Sequence, residues 1–237
     1  MNMKKKKKMV EEKELFSSKN LGHPYEIAVK ALISAVPILG SPLSAVIGDI
    51  QSIRKEKRFI EFINGLQEDI CNLSNHINTE FISKEDFLDI FEQTTKKIVI
   101  TRQEKKRTAF RHILSNAILS SDVSYDEVEE FISLVERFRE EHIFLLSILR
   151  DPVKYDEETG NRVGKGGGLT TSISEIMKKL LPDWTEDLII EFTTVLENER
   201  LIQHITSRYN TTLTDQGINH LINTLTSKGM RLVKFIS

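Results

Sequence analysis

Phosphate chemistry is the first chemistry the residue pattern raises, through Gly160-Asn-Arg-Val-Gly164-Lys165-Gly166. A phosphate-cradling loop needs G-x4-G-K followed by Ser or Thr, so that backbone amides wrap the phosphates, the lysine reaches them and the hydroxyl holds Mg²⁺. Here the glycines stand one residue too close, Gly166 occupies the hydroxyl position and no apolar strand leads in. The stretch reads as a polar, flexible linker. Metal chemistry is as weakly supported. The histidines at 23, 76, 112, 142, 204 and 220 never fall at i and i+4 beside a carboxylate, and Cys71 with His76 offers two ligands where a site needs three or four. His112 and His142 sit beside apolar helical positions and read as structural. No G-x-S-x-G and no nucleophile with an identifiable base is present. Catalytic residues, metal and cofactor are therefore all expected to be absent, and the chain is expected not to be an enzyme.

Binding chemistry has two candidate locations. Lys96, Lys97, Arg102, Lys105, Lys106, Arg107 and Arg111 place seven positive charges within sixteen residues, relieved only by Glu104. Such a cluster is either a solvated helix face or a surface for anionic lipid, a nucleic-acid backbone or an acidic protein. The second is an apolar run with no charge between Lys30 and Asp49: Ala31, Leu32, Val36, Pro37, Ile38, Leu39, Gly40, Pro42, Leu43, Val46 and Ile47 are its principal members. Its length approaches the ~20 residues of a membrane-spanning helix, but Pro37, Gly40 and Pro42 break it in the middle. It therefore reads as a hairpin of two short apolar helices, open to membrane engagement or to burial in a core.

The elements that must position these residues are helical. Ile53, Ile60, Ile63, Leu66, Ile70, Leu73 and Ile77 recur at spacings of three and four and mark the apolar face of a long helix, whose other face carries Arg54, Lys55, Lys57, Arg58, Glu61, Glu68 and Asp69. Ser83 with Asp86, and Ser124 with Glu127, resemble capping boxes that open further helices. One apolar pattern runs from Phe87 through Ile118, and another from Val128 to Leu149, closed by Asp151-Pro152. After the glycine-rich stretch the pattern shortens: helices over 169–181 and 183–198, strands over 201–205 and 209–213, and a closing helix over 214–225. The expected fold is thus mainly α, a multi-helix bundle with an apolar helical hairpin, followed by a small winged-helix-like α+β unit. The expected divisions are a disordered basic tail at 1–22, containing Lys4 to Lys8, a helical domain at 23–150, a linker at 151–168 and the winged-helix-like domain at 169–237.

Composition limits the partners. A net charge of −2 gives no global attraction for nucleic acid, so any electrostatic partner has to be read locally. The candidate reading helix of the C-terminal unit carries Glu186, Asp187, Glu191, Glu197 and Glu199 against Arg200, which disfavours a DNA groove. A protein partner or a homo-oligomer is expected first, a membrane surface is open through the hairpin, and nucleic acid comes last. One cysteine and no signal-type leader fit a cytoplasmic protein, open to a peripheral place on the inner face of the cell membrane.

Leu213-Thr-Asp-Gln-Gly217 resembles the wing-to-helix signature of many winged-helix proteins. The order of a Pro/Gly-broken apolar hairpin, long charged helices, the Arg111 to Ala117 stretch and this C-terminal unit resembles bacterial helical proteins of the abortive-infection alpha type. That resemblance implies a part in phage defence and carries over no catalytic residues. The leading expectation is a non-enzymatic defence protein that engages a membrane through the hairpin and docks a partner. Beside it stand a winged-helix DNA-binding regulator, with the Lys96 to Arg111 cluster on the backbone, and a helical adaptor whose hairpin is its core.

Overall fold

The computed structural model describes residues 26–48, 50, 52–72, 77–120, 122–160, 171–203, 205, 212–213, 218, 221 and 224–237. The chain divides into two compact units between Glu136 and Arg137. The first is all helical where it is described. α1 (Glu26–Ala35) leads through a 3₁₀ turn (Pro37–Leu39) into α2 (Gly40–Gly48), followed by α3 (Ile53–Asn72), α4 (Thr79–Ile82), α5 (Glu85–Ile100), α6 (Glu104–Leu119) and α7 (Tyr125–Arg137). Pro37 sits at the start of the 3₁₀ turn, where its missing N–H and fixed φ cost nothing. α3 is the central element and packs against α1, α5 and α6, while α2 lies on α5. Ile63, Leu66 and Ile70 of the three-and-four series are buried, with Phe59 and Phe62 beside them, as are Phe87 and Phe91 of α5; Ile60 is half-buried, Leu73 lies outside the described residues and Ile77 stands beyond the end of α3. Ile53 departs from that pattern: it lies in the first turn of α3 and is 84% exposed.

Three expected boundaries shift, and one is the pattern from Val128 to Leu149, whose first helix ends at Arg137 while the next begins at Glu140. Ser124 caps as expected, accepting the Glu127 amide at 3.2 Å ahead of α7. Ser83 does not; its hydroxyl donates back to Glu80 O at 2.9 Å and closes α4, so α5 begins at Glu85 behind an uncapped Lys84. The pattern from Phe87 to Ile118 is interrupted at Thr101–Gln103, where Arg58 Nη1 takes up the C-terminal carbonyls of Val99 and Ile100, both at 3.1 Å. Those carbonyls have no partner inside their own helix, and a guanidinium from α3 satisfies them.

The second unit contains α8 (Glu140–Arg150), α9 (Pro152–Thr159), α10 (Ile173–Leu180), α11 (Glu186–Asn198) and α12 (Ser227–Ile236). The segment expected as a linker begins with α9 and ends its described part at Gly160, a left-handed cap with φ 70; residues 161–168, with Lys165, lie outside the described residues. α11 ends in a Schellman motif, Leu201 N to Leu196 O at 2.9 Å and Arg200 N to Glu197 O at 2.8 Å. Arg200 stands at the left-handed position with φ 58, where glycine is usual.

The winged-helix α+β unit is not what forms here. Among the described residues, extended pairing is confined to Thr171–Ser172 against Thr212–Leu213, two residues each, and to one bridge between Ile202 and Leu225. The segment 201–205, expected as a strand, gives its backbone groups to other partners. Leu201 O accepts Thr226 N at 2.9 Å, Gln203 N donates to Thr224 O at 2.8 Å, and Ile205 N donates to the Glu197 carboxylate. Leu201, Ile202 and Ile205 are all buried, a spacing that suits a packed irregular segment and not a two-faced strand. The element that closes the chain is α12, in a stretch where no helix was expected. The fold is mainly α, and the bundle description is the part that holds.

One histidine of the second unit is buried in an unusual setting. His142, 5% exposed, stacks on Phe138 with ring centroids 5.1 Å apart and meets the Phe192 ring edge-on at 4.7 Å. Its Nδ1 accepts the Arg139 amide at 3.0 Å ahead of α8, which leaves the ring proton on Nε2, an atom with no hydrogen-bond partner among the described residues. Burial lowers its pKa below the ordinary 6.5 and outweighs the opposing pull of the Arg139 backbone, Glu141 and Glu191, with the Arg139 charge acting in the same sense as burial. The neutral ring is therefore the folded form. His142 stabilises the fold fully above 6.5, and that stabilisation is lost as the pH falls from there through the lowered folded value. The urea midpoint of the wild type is expected to drop between about pH 7 and pH 5. In His142→Gln, which has no proton to take up, the part of that drop due to this ring should vanish; an unchanged pH profile in the variant would exclude His142 as its source.

Candidate functional site

The hairpin is folded into the first unit. Leu32, Val36, Leu39, Leu43 and Val46 are at most 1% exposed, and Gly40 and Pro42 are buried with them. Ala31, Ile38 and Ile47 are half-buried, and of the hairpin residues singled out above only Pro37 is open to solvent. The outward side carries small or polar residues, Ser34, Ala35, Ser41 and Ala45, all exposed. Ser34 and Ser44 return their hydroxyls to the helix backbone at Lys30 O (2.8 Å) and Gly40 O (2.7 Å). No helix of the described residues is long and apolar enough to cross a membrane. Phe59, Ile63, Phe87 and Phe91 are buried in the two helices on which the hairpin packs, so lipid contact by its apolar side needs the unit to open.

The basic residues, neighbours in sequence, separate in space into groups with different partners. Lys96 donates to Glu92 at 2.7 Å, one turn back on α5. Lys97 pairs with Glu136, and Lys106 donates to Glu136 O at 2.8 Å, so two cations of the cluster converge on the end of α7. Arg107 reaches Glu61 at 3.3 Å and Arg102 O at 2.7 Å, and Arg111 Nε stands 3.0 Å from Asp69 Oδ2. Both side chains are half-buried and the two contacting atoms are shielded from solvent, but the N–H is not aligned on the oxygen, so the contact acts as an ion pair and not as a hydrogen bond. Arg102 and Lys105 stay exposed.

Arg107 and Arg111 line a small cleft of about 190 Å³ together with Arg58, Glu61, Phe62 and Glu104. Arg58, Gly65 and Asp69 were missed as partners of the basic cluster. Their signal is present in α3: Arg58, Glu61, Gly65 and Asp69 fall at intervals of three and four and so share one helix face. Gly65 is what lets Arg111 come in. A Cβ at that position would lie 2.1 Å from Arg111 Nη1 and 2.8 Å from its Cζ, so the absent side chain is the slot the guanidinium fills. Chemically the cleft has little to offer a reaction. Glu61 pairs with Arg107 across it, and a cation paired inside the fold gains less on meeting a polyanion than a free one.

Among the described residues no three of His, Cys, Asp and Glu converge on one point. Cys71 is exposed on α3, and His23, His76, His204 and His220 lie outside the described residues. Comparison with protein-family models, with curated proteins and with solved structures finds no match.

Proposed function

We propose that this chain is a non-enzymatic helical adaptor, a docking protein of bacterial defence in the manner of the abortive-infection alpha type, whose apolar hairpin serves as core. The burial of Leu32, Val36, Leu39, Leu43 and Val46 carries this reading. It favours the adaptor over membrane insertion, because exposing these side chains to lipid costs the packing they make on α3 and α5. Internal pairing of Lys96, Lys97, Lys106, Arg107 and Arg111 supports it against nucleic-acid binding. The partner sought is a protein.

The test is a charge at the hairpin tip. Ser41 is exposed in the first turn of α2, beside the 3₁₀ turn, so Ser41→Lys is expected to change stability by less than about 0.5 kcal/mol. A tip that crosses lipid would be impeded by the same charge. With vesicles of phosphatidylglycerol and phosphatidylcholine, neither wild type nor Ser41→Lys is expected to release an entrapped dye, and both should protect cells equally against phage in plaque counts. Dye release by the wild type that Ser41→Lys loses while remaining folded would replace the adaptor by a membrane-inserting protein.

A further inference from the structure

The second unit holds a larger concavity than the arginine cleft, a groove of about 940 Å³. One wall is the junction of α8 and α9, residues 149–153; the other is α12 with Leu225. Its floor is apolar, since Pro152 and Val233 are buried there. Met230 stands on α12 at 59% exposure, a flexible and polarisable side chain suited to adaptable apolar contact and unusual among the apolar residues of this unit in being left to solvent. Around it the charge is one-sided. Arg150 and Lys234 are exposed, and neither has an ion-pair partner among the described residues. The lining carboxylate, Asp151, is already engaged: it accepts the Lys154 amide at 3.0 Å and caps α9.

From this we infer that the groove docks an acidic amphipathic segment of a partner protein. The apolar floor and Met230 take a row of aliphatic side chains, and Arg150 and Lys234 meet Asp or Glu on either flank. The inference rests on the adaptor reading and names the chemistry of its partner. An extended or helical peptide fits better than a polyanion, because the middle of the groove is apolar and the cations lie apart on opposite walls. Flanking charges of this sort set register and encounter rate, and the apolar centre supplies the affinity.

The experiment uses the full chain and two labelled peptides of about four turns, with leucine at i, i+3, i+4 and i+7 and either glutamate or lysine on the flanks. Fluorescence anisotropy is expected to show the glutamate peptide binding at least about tenfold tighter than the lysine peptide. Met230→Glu should weaken the glutamate peptide about tenfold or more, and the pair Arg150→Glu with Lys234→Glu should reverse the preference between the two peptides. All three positions are exposed, so the variants should keep the wild-type circular dichroism and melting point. Absence of glutamate-peptide binding, equal binding of both peptides, insensitivity to Met230→Glu, or self-association of the chain through this face in sedimentation would each overturn the proposal. So would binding to phosphatidylglycerol vesicles in place of the peptide, lost on Arg150→Glu with Lys234→Glu. These outcomes are distinct from failure of the adaptor reading, which shows as dye release sensitive to Ser41→Lys and leaves the groove variants without effect.

Discussion

Val36→Asp is expected to destabilise the first unit by about 4 kcal/mol or more, a large share of the roughly 5–15 kcal/mol that holds a typical domain together. Val36 joins α1 to the 3₁₀ turn: its amide donates to Leu32 O at 2.8 Å, its carbonyl accepts Leu39 N at 3.1 Å, and its side chain is 1% exposed. A carboxylate on this buried side chain loses its water, and the hairpin itself, with no charged residue between Lys30 and Asp49, supplies no counter-ion. The new carboxyl would have its pKa raised by burial, so the penalty should be smallest in acid, where the group is neutral in both states, and grow as the pH rises through the unfolded value of about 3.9 toward 7. Urea midpoints at about pH 4 and pH 7 read this directly. A Val36→Asp protein with an unchanged midpoint at both would show that the hairpin is not core, and with it the adaptor proposal would fall.

The hairpin also shows how far sequence reasoning carries. Its two arms and its break at Pro37 to Pro42 were legible, because proline and glycine act locally on φ and on the amide supply. Whether the arms face water, lipid or protein was not, because that is decided by α3 and α5, which the local pattern does not contain. The same division holds at the basic cluster. Its charges were plain, but Asp69, Glu61 and Glu136 lie 42, 46 and 30 residues from Arg111, Arg107 and Lys106, and only the packing of α3, α6 and α7 brings them together. The break at Thr101–Gln103 depends on Arg58, 42 residues away from Ile100, and no cap residue marks it locally.

In the second unit the misreading has a different origin. Ile202 and Ile205 carry high strand propensity, and strand propensity describes a fit to a half-buried pleated surface more than a backbone preference. Glu197, Thr224 and Thr226 offer the segment other hydrogen bonds, and the packed irregular path results. Thr226 carries the local signal for α12. A threonine three residues before a glycine, ahead of Leu232, Val233 and Ile236, is a helix start, and its Oγ1 accepts Gly229 N at 3.0 Å.

That helix start is where the largest steric effect of a single methyl group is expected. Leu201 O accepts Thr226 N at 2.9 Å and Thr226 Oγ1 at 3.1 Å, and Thr226 Oγ1 also reaches Arg200 O at 2.7 Å, so the first turn of α12 is docked onto the turn that follows α11. Gly229 lies beneath this junction. A Cβ built on it would stand 1.9 Å from Leu201 O and 2.9 Å from Leu201 C, and both are backbone atoms held by the hydrogen bonds just named and by the Schellman motif at Arg200. No side-chain rotation relieves such a contact; either α12 shifts outward and loses the cap, or the 200–202 turn opens. Gly229→Ala is therefore expected to cost about 3 kcal/mol or more in spite of alanine's better helix propensity, and to lower the melting temperature by on the order of 10 °C. Gly48→Ala is the matched control. Gly48 ends α2 in the open, with nothing within 4 Å of its built Cβ and no left-handed φ, so the same substitution should be neutral or stabilise by up to about 1 kcal/mol. Thermal melts of the two variants decide the point. Equal effects would mean that α12 does not sit on Leu201 as described, and the groove that α12 walls would lose its basis with it.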